Sequence, residues 1–198
     1  MEPTGGQASQ LVYRIDAADR IERMGRSCPG ENDGGVATEF VGRSLWDVIG
    51  DLTTETLYRQ MVRAARQGRT VRFRYRCDTP EARRLFRMVI AGAGAGAVDF
   101  TTSLIREEPR PPVALLDPAR GPRSADLVRI CSWCERAALP DGSWVPIEEA
   151  VVAMGVLEKA VIPRLTHGVC PSCARRVLRE LERLSRPGAP PSRPAGAP

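Results

Sequence analysis

The chain has 198 residues, enough for one large domain or two small ones. Hydrophobic residues make up 42% and charged residues 27%, a balance that suits a globular protein and argues against a chain built for disorder. No run approaches the roughly 18 apolar residues of a membrane span, and MEPTGGQASQ lacks the basic and apolar regions of a signal peptide, so a cytoplasmic protein away from membranes is expected.

Residues 1–10 read as a frayed terminus. LVYRID (11–16) and DRIERMG (19–25) read as two short strands joined by a turn at Asp16-Ala17-Ala18-Asp19. CPGENDGG (28–35) is turn chemistry. GRSLWDVIG (42–50) reads as a short helix capped by Ser44. A longer helix follows, with Thr53 or Thr54 as its N-cap, Leu57, Met61, Ala64 and Ala65 at helical spacing, and Gly68 as its stop.

Three strand-like runs come next. In TVRFRYRC (70–77), Val71, Phe73, Tyr75 and Cys77 alternate with Arg72, Arg74 and Arg76, the pattern of a half-buried strand with one apolar and one basic face. On this pattern Cys77 is a small core hydrophobe. ARRLFRMVIAG (82–92) and AVDFTTSLIRE (97–107) are rich in β-branched and aromatic residues, with AGAGAG (91–96) as the connection. Strands, then helices, then strands predict an α+β domain over 11–107 with a five-stranded antiparallel sheet.

The proline-rich stretch 108–126 reads as a linker. A second module occupies 127–184, and the low-complexity end 185–198 is expected to be disordered. The net charge is +5, and Lys159 is the only lysine. Residues 69–90 hold seven arginines against Asp78 and Glu81, so this stretch carries the whole excess. Arg72, Arg74 and Arg76 are therefore candidates for a surface that meets an anion or a partner.

The main chemical signal lies in the second module. Cys131-Ser-Trp-Cys134 is followed, after 35 residues, by Cys170-Pro-Ser-Cys173. A CxxC turn sets two thiolates on one face of a tight knuckle. Two such turns complete an all-thiolate tetrahedron with no open position, which predicts a structural Zn2+ held by Cys131, Cys134, Cys170 and Cys173. The second pair opens an amphipathic helix, ARRVLRELERL (174–184), and the gap has room for a turn at Pro140-Asp141-Gly142 and a helix over 147–159. A knuckle facing a helix N-terminus suggests a treble-clef-like arrangement. A thioredoxin-like redox pair would need a βαβ context that the chain lacks. Two disulfides would need an oxidising compartment, and four-cysteine iron–sulfur ligation is the other metal rival. His167, the only histidine, and Trp133, between the first two cysteines, are expected just behind the four ligands.

The cysteine region also resembles a known module. ICSWCER (130–136), Trp144, Glu148-Glu149 and THGVCPSC (166–173) are similar to the C-terminal cysteine module of bacterial PAS-, GAF- and receiver-containing signalling proteins. The preceding region resembles a PAS domain in element order and in GRSLWDVI, where Gly42, Leu45, Asp47 and Ile49 match the family's G-x-x-L-x-D-x-I habit.

The PAS resemblance implies a ligand, of unspecified identity, cradled between sheet and helices, and a tendency to dimerise. Histidine-ligated haem is excluded, because no histidine lies between Leu11 and Arg106. The Ser-Cys-Pro-Gly around Cys28 is unlike the Asn-Cys-Arg-Phe run of flavin-adduct PAS domains. The chain shows no catalytic triad, Walker motif or kinase motif. The expected function is a non-catalytic signal-transduction sensor or adaptor, acting through protein–protein contacts with a signalling partner. A nucleic-acid-binding transcription regulator is one rival, and a zinc-thiolate redox sensor the other.

Overall fold

A computed structural model describes residues 10–26 and 38–185. The expectations for residues 1–9, for the CPGENDGG turn with its Cys28, and for residues 186–198 lie outside the described residues.

Strands β1 (Gln10–Ile15) and β2 (Ile21–Arg26) form an antiparallel hairpin. Helices α1 (Leu45–Val48) and α2 (Leu52–Arg66) precede strands β3 (Val71–Arg76), β4 (Ala82–Gly94) and β5 (Ala97–Pro109). These five strands form one antiparallel sheet in the order β2-β1-β5-β4-β3. The chain is thus mixed α+β, as the grouping of strands and helices predicts.

Ser44 caps α1 as expected, its Oγ accepting from the Trp46 N–H. For α2 the cap is Asp51 rather than either threonine: Asp51 Oδ2 accepts from the Thr54 N–H at 2.7 Å. Gly68, at φ +81°, ends the helix in the left-handed region, where glycine carries no Cβ penalty.

Helix α2 lays Leu57, Met61, Ala64 and Ala65 over Ile90, Phe100 and Val71 on one face of the sheet. The helix and β4 approach so closely that a Cβ on Gly92 would lie 2.7 Å from the Ala65 carbonyl oxygen. AGAGAG is mostly strand. β4 runs to Gly94, and the connection is the two-residue turn Ala95-Gly96, both at positive φ as a type I′ hairpin requires. β3 ends at Arg76, so Cys77 is exposed instead of lying in the core.

A second sheet has the order β8-β7-β6-β9. Its strands are β6 (Arg123–Cys131), β7 (Ala137–Ala138), β8 (Trp144–Val145) and β9 (Ile162–Gly168), with β6 and β9 parallel. β6 begins inside the run read as linker. Helix α3 (Ile147–Ala153) is shorter than the helix expected over 147–159, because Gly155, at φ +58°, turns the chain into a 3-10 turn over Val156–Glu158. Val128, Ile130, Ile147, Ala150 and Ile162 form a core beneath this sheet. Helix α4 (Pro171–Ser185) closes the described chain.

The two sheets are not separated by solvent. Trp133, Cys131, Cys170, Val177 and Leu181 belong to the same apolar cluster as Phe73, Met61 and Phe100. An ion cluster adds a second tie. The Asp78 side chain is fully buried between Arg76 and Arg110, and Arg110 also reaches Glu148 on α3.

Candidate functional site

The four cysteines come from three elements. Cys131 is the last residue of β6, Cys134 closes the turn after it, and Cys170 and Cys173 flank the start of α4. The turn is fixed by the backbone: the Glu135 N–H donates to the Cys131 carbonyl at 2.9 Å, and Glu135 itself sits at φ +59°. Pro171, with its preset φ and no N–H, suits the first position of α4. The parallel pairing of β6 with β9, together with the Ser132 N–H donating to the Gly168 carbonyl at 2.8 Å, brings the second pair beside the first.

All four sulfurs lie within 4.8 Å of one another and could hold a metal ion. Cys131 is fully buried, and the other three are at most 5% exposed. All four are free thiols: Cys134 and Cys170 Sγ are 3.8 Å apart, against about 2.05 Å for a disulfide. Backbone N–H groups of Trp133 and Cys170 donate to Cys131 Sγ at 3.5 and 3.4 Å. The Arg176 guanidinium donates to Cys173 Sγ.

The Cys131 thiol is drawn far down, chiefly by the Cys134 and Cys173 thiols donating to it and then by those two backbone groups. Cys134 and Cys173 are pushed up, each first by Cys131. Four thiols crowded in one buried pocket oppose one another's ionisation. A cation among them removes that opposition, and this is the chemistry of a metal centre.

No family model, curated protein or solved structure matches the chain. The residues themselves must carry the reading.

Trp133 is 2% exposed, with its ring 5.3 Å from Phe73 and 6.1 Å from Tyr58. It packs beside its neighbouring cysteines and also forms part of the sheet's core. His167 is exposed and, among the described residues, makes no hydrogen bond to the four sulfurs. It borders a cavity of about 470 Å³ between the sheet, α1 and the cysteine turn, where Ser132 and Trp133 form one wall and Tyr13, Tyr58 and Phe73 another.

The three arginines of β3 do not share one environment. Arg76 is held by Asp78, while Arg72 and Arg74 are half-buried and line a small pocket with Val177 and Leu181 of α4. The buried Asp78–Arg110 pair went unread in the sequence, and so did the aromatic lining of the cavity with the cysteine turn as part of it. The Asp-Thr-Pro turn was a weak signal for the first, and the alternating aromatics of β3 for the second.

Proposed function

We propose that the chain is a non-catalytic sensor or adaptor of signal transduction, made of a PAS-like sheet domain and a treble-clef-like zinc module. It works in the cytoplasm, as a homodimer, through contacts with a signalling partner. One observation carries this reading: four buried sulfurs, enough to fill a tetrahedral shell, lie within 4.8 Å of one another and pack into the same core that encloses a cavity.

Sulfurs bound tetrahedrally at about 2.3 Å from a zinc ion lie about 3.8 Å apart. The Cys134–Cys170 separation of 3.8 Å matches that edge. A turn carrying one pair and a helix start carrying the other support the treble-clef reading. The order β2-β1-β5-β4-β3, with α1 and α2 between the second and third strands, supports the PAS reading. Among the described residues no helix is long and apolar enough to cross a membrane.

The test is metal analysis of the purified chain, followed by cobalt substitution. One zinc per chain is expected, and the cobalt form should show the absorption of a four-thiolate tetrahedron. That spectrum should not change when azide is added. A spectrum that shifts with azide reveals an open coordination position and overturns the non-catalytic reading. Iron in place of zinc overturns the choice of metal.

A further inference from the structure

The cavity beside the cysteine turn has a chemical character of its own. Six aromatic side chains border it: Tyr13, Phe40, Tyr58, Phe73, Tyr75 and Trp133. Flat apolar walls of this kind favour a flat apolar guest. The Tyr75 hydroxyl is satisfied by Thr102, whereas those of Tyr13 and Tyr58 have no hydrogen-bond partner among the described residues. Hydroxyls that border a cavity pair with a guest or with water, so a guest that brings acceptor oxygens suits the two tyrosines.

The charged groups at the rim are already engaged within the chain. Asp51 accepts from Thr54, Arg76 is held by Asp78, and Glu135 accepts from the Asp78 N–H. Among the described residues that border the cavity the one guanidinium is engaged and His167 stands at the rim, so an anionic guest meets no free guanidinium or ammonium; both carboxylates already have donors, so a cation gains little.

We infer that this cavity binds an uncharged, planar aromatic molecule bearing hydrogen-bond acceptors, with the turn between Cys131 and Cys134 as one of its walls. The inference rests on the sensor reading above and names the class of molecule sensed. Because Ser132 and Trp133 lie between two of the four cysteines, the metal that fixes the turn also fixes that wall.

The test is calorimetric titration of the full, zinc-loaded chain with three small probes: coumarin (uncharged), 2-naphthoate (anionic) and phenyltrimethylammonium (cationic). Coumarin is expected to bind once per chain, and the two ions at least about tenfold more weakly, the cost of bringing an uncompensated charge into such a site. Tyr58→Phe should weaken coumarin by about two- to tenfold, the worth of one hydrogen bond. Ile49→Trp fills the cavity from the end of α1 without touching a cysteine residue, and should abolish coumarin binding with zinc still at one per chain.

Absence of coumarin binding to a chain that holds its zinc overturns the ligand assignment and leaves the zinc reading standing. Equal binding by either ion overturns the uncharged class. Full binding by Ile49→Trp overturns the location. Coumarin binding by a chain that carries no zinc overturns the zinc reading, and with it the role of the metal in the wall.

Discussion

Replacing Trp133 by alanine tests whether the cysteine turn is part of the sheet's core. A buried aromatic side chain removes about 150–250 Å² from water. At about 25 cal/mol per Å² this is worth about 4–6 kcal/mol, and large-to-small aromatic substitutions in cores cost about 3–5. Trp133 is 2% exposed and packs against Phe73 and Tyr58, which sit on β3 and α2 and not on the cysteine segment. A loss of about 4 kcal/mol is therefore expected in the sheet itself. With a urea slope of about 2 kcal/mol per molar, the midpoint should fall by about 2 M. The assay is urea unfolding of the purified chain, with hydrogen exchange at Ile90 and Phe100 reporting on the sheet. Leu127→Ala is the control: that side chain is 62% exposed, and its loss should cost less than about 0.5 kcal/mol. If Trp133→Ala loosens the cysteine segment while protection at Ile90 and Phe100 stays unchanged, the shared core is refuted.

Three further outcomes follow from other contacts. Gly92→Ala should cost about 1–3 kcal/mol in denaturant unfolding, because its Cβ meets the Ala65 carbonyl oxygen at 2.7 Å, while Gly50→Ala, with open space around it, should be near neutral. Asp78→Asn takes from the nearly buried Arg110 the closer of its two carboxylates, leaving only Glu148 at 3.4 Å, and should cost about 3 kcal/mol, read from the thermal midpoint. Asp99 is held below the usual carboxylate range, first by hydrogen bonds from Arg14. A depressed native value stabilises the fold above the ordinary carboxylate value of about 4, and that stability is lost as pH falls through the native value. Asp99→Asn should therefore differ from the parent chain at pH 7 and converge with it in strong acid. A difference that persists at pH 2 would place the effect in packing instead of charge.

The parts of the fold visible in the sequence are those written by local rules. The alternation of Val71, Phe73 and Tyr75 with three arginines marks β3 directly, and the two CxxC pairs mark their own convergence. Errors arise where several local signals compete or where the deciding contact is distant. Asp51, Thr53 and Thr54 are all good caps, and only the position of the first turn selects Asp51. In AGAGAG the small residues say nothing about strand or loop. The hairpin is placed by backbone angles at Ala95 and Gly96. Strand β6 pairs in parallel with β9, about 40 positions further on, and proline-rich flanks hide its start. The lining of the cavity is the extreme case, since Tyr13 and Trp133 meet there only after both sheets have formed.

The edge strand β3 has a consequence for handling the protein. Its Arg76 N–H donates to the Trp133 carbonyl at 3.2 Å, so the cysteine turn occupies a backbone position that a sixth strand would otherwise take. An exposed strand edge is a template for pairing with another chain. If the four thiols hold a metal, buffers that strip it should therefore free this edge and lead to β-rich aggregates, well before the rest of the sheet unravels.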